Sequence, residues 1–173
     1  MQTTKNDNYF LKKQKKIKEI LYPHKRGDKN FENCKVGIIK SSWNKQITDL
    51  LYNSSYNFLI ESGLKDKNII SQDVPGSMEL VHMSNYMISK YNLDGVIALG
   101  CIIKGETDHD VYISNAVANG LVNVSIQKEK PVIFGVLTTN NLNQALERCG
   151  GKHGDKGLES SQSLLQIISS CKD

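Results

Sequence analysis

The chemistry available to this chain centres on His109 and the run that leads into it, Leu99-Gly100-Cys101-Ile102-Ile103-Lys104-Gly105-Glu106-Thr107-Asp108. An imidazole titrates near neutral pH and is the side chain best matched to proton transfer there. Gly105 lets backbone amides approach a ligand with no side chain in the way. Gly105-Glu106-Thr107 precedes a helix, whose positive end and free amides suit a phosphate. Glu106 argues against a bare anion hole unless its side chain faces outward. Arg148 and Lys156 flank the glycine-rich stretch Gly150 to Gly157 and can bring the opposing charge. Trp43 and Phe134 offer aromatic planes and Glu79 a carboxylate that burial would perturb. An aromatic plane with a few fixed polar groups is how a flat heterocycle is held. Each residue also has a plainer reading. Trp43 and Phe134 can be core, Glu79 a first-turn acid, His109 a cap and Arg148 a surface cation at a helix end.

For these side chains to act together the fold must bring them to one place. Val96-Ile97-Ala98-Leu99, bounded by Asp94-Gly95, is too short for an independent helix and predicts a strand buried on both faces. Lys35 to Lys40, Asn68-Ile69-Ile70 and Pro131 to Leu137 predict three more strands. Ile47, Leu50, Leu51, Phe58 and Leu59 recur at helical spacing after the capping turn Ser41-Ser42-Trp43-Asn44, and Gly63 closes that helix. Leu80, Val81, Met87 and Ile88 mark a second helix, and a third runs from His109 to Glu129. Thr138-Thr139-Asn140 caps a fourth through Arg148, and Leu158, Leu164, Leu165 and Ile168 mark the last. Strand-helix alternation, four times over, specifies a parallel sheet with helices on both faces. Ligands of such sheets sit beyond the strands' carboxyl ends. The topology gathers four loops there: Ser42 to Asn44, Val74 to Glu79, Cys101 to His109 and Phe134 to Thr139. Four strands make a narrow sheet, so burial of leftover apolar surface against further copies of the chain is expected.

The bulk numbers bound the function class. A length of 173 residues suits one domain. No apolar run approaches the ~18 residues of a membrane span, and no secretory signal is expected. Cys34, Cys101, Cys149 and Cys171 are scattered, with no Cys-x-x-Cys pair and no zinc-type histidine spacing. The expectation is a cytoplasmic protein with no disulfide and no metal. The net charge of +4 hides an asymmetry: residues 1–35 hold ten Lys/Arg against four Asp/Glu, and the remainder twelve against fourteen. Residues 1–33 are therefore expected to be a basic, disordered arm ahead of one domain over residues 34–173. Sharper readings of the arm are a nucleic-acid or membrane-surface patch or a transit peptide. No Gly-x-Gly-x-x-Gly, Walker loop or Gly-x-Ser-x-Gly elbow is present, so nucleotide hydrolysis and serine-hydrolase chemistry lose support.

Four collinear segments carry a specific resemblance: Val-Pro-Gly-Ser-Met-Glu (Val74 to Glu79), Leu99 to His109, Pro-Val-Ile-Phe-Gly-Val-Leu-Thr-Thr (Pro131 to Thr139), and Gln-Ala-Leu-Glu-Arg-Cys-Gly-Gly-Lys-His-Gly-Asp-Lys-Gly (Gln144 to Gly157). Together they closely resemble lumazine synthase, from about Lys35 to the C-terminus. The resemblance implies a flavodoxin-like three-layer α/β sandwich with a four-stranded parallel sheet. It implies a homo-oligomer, a pentamer or an icosahedral shell of twelve pentamers, with active sites between adjacent subunits. It implies a transferase acting at the penultimate step of riboflavin biosynthesis. There 5-amino-6-(D-ribitylamino)uracil and 3,4-dihydroxy-2-butanone 4-phosphate give 6,7-dimethyl-8-ribityllumazine, phosphate and water, with no cofactor. The implied partners are small-molecule substrates and riboflavin synthase, with neither membrane nor nucleic acid.

By position, the resemblance makes His109 the proton-transfer residue. Trp43 and Asn44, Ser77, Met78 and Glu79, Cys101, Ile102 and Ile103 match the pyrimidine and ribityl site, and Phe134 matches a wall contributed by the neighbouring subunit. Glu106, Thr107, Arg148 and Lys156 match phosphate-binding positions, and Glu159 an acid that orients the imidazole. Two features depart from or vary within the family. Asp110-Val111-Tyr112 follows His109 where an aromatic, an acid and a Tyr are usual. The insertion associated with fungal pentamers that form no shell is absent. The altered run after His109 motivates an alternative, a non-catalytic shell or flavin-binding relative.

Overall fold

The computed structural model describes residues 31–171, so nearly all of the arm expected over residues 1–33 lies outside the described residues. In chain order the elements are β1 (Val36–Ser41), α1 (Lys45–Glu61), β2 (Ile69–Val74), α2 (Glu79–Tyr91), β3 (Gly95–Ile103) and α3 (His109–Lys128). They are followed by β4 (Val132–Thr139), α4 (Leu142–Glu147), β5 (Cys149–Gly151), β6 (Gly154–Asp155) and α5 (Lys156–Ser170). The first four strands pair in the order β2-β1-β3-β4, all parallel.

Strand alternation builds the two cores. Val36 and Ile38 of β1, with Ile97 and Leu99 of β3, pack against Ile47, Leu51 and Leu59 of α1 and Leu164, Leu165 and Ile168 of α5. The intervening residues Ile39, Val96 and Ala98 face the other way. They meet Leu80, Met87 and Ile88 of α2 and Val117, Leu121 and Val124 of α3. This is the expected three-layer α/β sandwich. Helices α1 and α5 approach closely because small residues meet at their contact. The buried Ser55 and Ser161 hydroxyls lie 2.6 Å apart, and Gly157 sits against the Leu51 backbone.

Several local expectations are corrected. Strand β3 continues through Ile103, so Cys101, Ile102 and Ile103 lie in the strand and not in a loop. Likewise β4 contains Phe134 to Thr139, because pairing with β3 persists to Ile103 opposite Thr139. Helix α4 is capped one residue later than expected. Asn141 accepts from the Gln144 amide at 2.9 Å, while the Gln144 side chain takes the Asn140 N–H at 2.8 Å. This reciprocal arrangement satisfies two otherwise orphaned donors. The stretch expected as a glycine-rich turn is a short β5-β6 hairpin, with positive φ at Gly150 and Gly154.

Lys40 stands on the α1 face of β1, yet is only 8% exposed. Its ammonium meets Asp73 of β2 and Asp49 of α1, each at 2.8 Å. Burial works against the charge, but the two carboxylates outweigh it and hold the pKa above the usual lysine range. Bonds from Lys40 and Lys45 hold Asp49 below its ordinary value. Lys40 thus stabilises the fold fully below about pH 10.4 and loses this as pH rises through its folded pKa. Asp49 contributes fully above about pH 3.9 and loses this on acidification. Between those limits Lys40 and Asp49 are both charged.

Candidate active site

The carboxyl edge of the sheet carries two sets of functional side chains. The first is held by the loops after β1, β2 and β3. Trp43 projects from a tight turn and is 73% exposed, while its backbone is pinned. The Ser42 and Trp43 amides donate to the carbonyls of Val74 (2.7 Å) and Pro75 (3.1 Å). Asn44 adopts left-handed φ 56 and ψ 43 and makes no side-chain cap bond to α1. Its amide instead donates to the Cys101 carbonyl at 2.9 Å, tying this loop to β3. The carbonyl of Cys101, in the stretch matched to the pyrimidine and ribityl site, is thereby engaged from within the chain. Asn44→Ala is expected to destabilise by about 2–3 kcal/mol, from one lost hydrogen bond plus left-handed strain. Asn44→Gly relieves the strain and should lose only about 1 kcal/mol; urea unfolding of the two variants checks the difference.

Beyond β2, Ser77 is buried and Met78 exposed. Glu79, expected to be a buried carboxylate, is exposed, because it opens α2 at the surface, where it accepts the Gly76 N–H at 2.8 Å. After β3, the Lys104 amide bonds the Thr139 carbonyl at 2.8 Å. Glu106, Thr107 and His109 follow on the surface, with His109 as the first residue of α3. Next to it, Asp110 has one carboxylate oxygen shielded from solvent, without a hydrogen-bond partner among the described residues.

The second set surrounds an open cleft of about 400 Å³ beyond β4, lined by Thr138, Thr139, Gln144, Arg148, His153 and Lys156 among others. Arg148 ends α4 and grips Glu159 of α5 with both terminal nitrogens, at 2.8 and 3.2 Å. Its Nη1 also donates to the His153 carbonyl. Within the protomer, Glu159 therefore serves Arg148, whereas the sequence reading assigned it to the imidazole. Lys156 opens α5 on the cleft wall. His153 and Gln144, given no role by the sequence reading, belong to the same wall; their signal was the motif running from Gln144 to Gly157.

The structure joins Arg148, Lys156 and Glu159, and separately ties the Trp43 turn to the Val74–Pro75 loop and, through Asn44, to the end of the strand that leads to His109. It does not join the two sets: the cleft containing Arg148 is lined by neither Trp43 nor His109. Phe134 lies in the body of β4 opposite Ala98, five residues before Thr139, or about 17 Å from the strand's carboxyl end. It is half-buried and packs on the core of α2 and α3.

Two thiols near this edge are poor nucleophiles. Burial chiefly, with the charge of Cys149 adding, pushes Cys101 up to about 12. Burial and Asp155 push Cys149 up to about 11, against the opposing pull of Arg148. Both should therefore resist iodoacetamide at pH 8 in the native protein while the exposed Cys171 reacts, as peptide mapping by mass spectrometry will report. Among the described residues no group of three or more His, Cys, Asp or Glu is arranged to hold a metal. No helix among them is long and apolar enough to cross a membrane.

Comparison with known proteins shows which family the sequence matches. The family described as 6,7-dimethyl-8-ribityllumazine synthase matches residues 33–172. A protein of that name from Cytophaga hutchinsonii is 43% identical over 139 residues, 80% of this chain and 87% of its own length. One from Porphyromonas gingivalis is 39% identical over 150 residues, covering 83% and 93%. One from Levilactobacillus brevis is 43% identical over 135 residues, covering 78% and 86%.

Proposed function

The chain belongs to the 6,7-dimethyl-8-ribityllumazine synthase family, transferases of riboflavin biosynthesis, and from that premise we propose how its residues divide the reaction. The substrates are 5-amino-6-(D-ribitylamino)uracil and 3,4-dihydroxy-2-butanone 4-phosphate. Trp43 stacks on the pyrimidine, with Asn44, Ser77, Met78, Glu79 and the Cys101 to Ile103 strand end forming its surroundings. Arg148 and Lys156 hold the phosphate, joined by Glu106 and Thr107, and His109 moves protons. Schiff-base formation, phosphate loss and ring closure all require proton transfer near neutral pH, where an imidazole serves best. Holding two substrates together provides much of the remaining acceleration.

The observation that carries this reading is the Arg148 fork. A guanidinium oriented by Glu159 beside Lys156, in an open cleft at the sheet's carboxyl edge, suits a phosphate dianion. Glu159 lies against Arg148 in the protomer, so its orienting role is directed to Arg148. Contact with an imidazole is left to a neighbouring copy.

The separation of the two residue sets supports an active site completed by a neighbour, the Trp43 and His109 loops of one protomer facing the Arg148 cleft and Phe134 of the next. The apolar exterior of α3 supports the same assembly. Val111, Tyr112, Val122 and Ile126 are exposed there, Ile126 to 70%, and several large apolar side chains on one exposed helix suit an interface. The pentamer, open to closure into a shell, is what the family resemblance implies, as are the cytoplasmic location and riboflavin synthase as partner. The domain is assigned to residues 34–173, with the arm over 1–33 outside it.

Mixing the two substrates with purified protein and following phosphate release, lumazine fluorescence and particle mass on one sample tests the reading. Fluorescent product from a particle of pentameric mass or a multiple of it supports it. Flavin binding without phosphate release would favour the non-catalytic alternative that Asp110 and Val111 motivate.

A further inference from the structure

The Lys40, Asp49 and Asp73 cluster lies outside both residue sets, yet links β1, α1 and β2, the three elements that flank the Trp43 turn. Lys40 and Asp73 are direct partners across β1 and β2. Asp73 immediately precedes Val74 and Pro75, whose carbonyls accept the Ser42 and Trp43 amides. Asp49 lies one turn into α1, across the connection that Trp43 occupies, and takes Lys40 on one oxygen and Lys45 on the other, at 2.8 and 2.5 Å. The entry to α1 has no side-chain cap from Asn44; its local fastening is the Thr48 hydroxyl, which donates to the Ser41 carbonyl at 2.8 Å. The ion cluster adds a second clasp: Lys40 closes the turn from the strand side, Asp49 from the helix side, and Asp73 carries the tie to the neighbouring loop. Two lysines and two aspartates balance in charge, and Lys40 is shielded from water while both aspartates reach it, so the bonds are less screened than those of a surface pair.

We propose that the Lys40–Asp49–Asp73 cluster is a positioning device for the known reaction, holding the Trp43 indole where the pyrimidine substrate stacks on it. This rests on Trp43 being the stacking residue, which the proposed function assigns. Lys40 touches no reacting atom; it acts through the turn.

Trp43 is the sole tryptophan of the chain, so its fluorescence reports the turn directly. In assembled Lys40→Met, the KM for the ribitylaminouracil substrate is expected to rise about tenfold, as a small misplacement of a binding group can cost that much or more. Within a factor of about two, kcat and the KM for the butanone phosphate should hold, and the fast component of Trp43 anisotropy decay should grow. Lys40→Arg, which keeps the charge and can reach both carboxylates, should restore the KM and the anisotropy. Since Lys40→Met leaves two carboxylates facing each other and can fail to fold, Asp73→Asn provides a milder variant, expected to shift both readouts in the same direction by about threefold.

Unchanged pyrimidine KM and unchanged anisotropy in folded variants would overturn the proposal, as would equal increases in both KM values. Trp43→Ala separates this from the underlying reading. If that substitution leaves the pyrimidine KM unaltered, the stacking assignment fails; if it raises the KM while the Lys40 and Asp73 variants do not, only the clasp fails.

Discussion

Arg148→Ala is expected to lower kcat/KM by about 10²–10³, the loss typical of removing a preorganised group that stabilises developing charge. His109→Ala should lose only about tenfold, below the 10²–10⁴ that a general acid-base group can supply. The asymmetry follows from what can substitute for each side chain. Water or a neighbouring carboxylate can relay a proton. No other group among the described residues presents a planar fork to a phosphate at this edge. Glu159 takes both terminal nitrogens and the His153 carbonyl takes Nη1 as well, so the guanidinium plane is fixed and meets the leaving phosphate through the N–H groups these partners leave, on Nε and Nη2. Arg148→Lys keeps the charge but not the bidentate geometry, and should recover only part of the loss, with most of the remaining defect in the KM for the butanone phosphate. Initial rates of phosphate release and product fluorescence, measured on correctly assembled variants, decide the ranking. Comparable losses at Arg148 and His109 would contradict it.

Gly157→Ala is expected to cost about 3 kcal/mol or more of stability, at the upper end of overpacking effects, and so to lower Tm by about 6–12 °C for a domain of this size. A methyl group there would lie 2.2 Å from the Leu51 carbonyl oxygen and 2.9 Å from its carbonyl carbon. Gly135 is also tight, but its nearest neighbour at 2.6 Å is the tip of Leu99, a side chain that can turn aside. At Gly157 the obstacle is the backbone of α1, which moves only if the whole helix moves and opens the core that it shares with α5. The roughly 1 kcal/mol that Ala gains over Gly inside a helix is too small to offset this. Gly105→Ala is the control: nothing lies within 4 Å of its added carbon, and its Tm should hold. Thermal unfolding followed by circular dichroism gives both values.

The sandwich was largely legible in the residues themselves. The unbroken apolar run before Cys101 announces a strand covered on both faces, and the helical recurrence from Ile47 to Leu59 announces α1, because burial periodicity follows from backbone geometry alone. His109 as the opening residue of α3 could be read in the same way, from the polar turn that precedes a long amphipathic segment. The motif from Gln144 to Gly157 likewise marked Arg148 and Lys156 as a pair of cations at one place.

What the chain order could not reveal are the choices made between competing partners once distant elements meet. Asn44 reads locally as a helix cap, but the carbonyl of Cys101, 57 positions away, offers its amide a better use. Glu159 reads as a partner for an imidazole, yet folding delivers it first to Arg148. Lys40 reads as the polar end of a strand, and only the crossing of β1, β2 and α1 surrounds it with two carboxylates. Local propensity is a property of neighbours along the backbone. The pairing of a charge or an amide is settled by whichever acceptor the packed fold brings within about 3 Å, and that acceptor is supplied by tertiary structure alone.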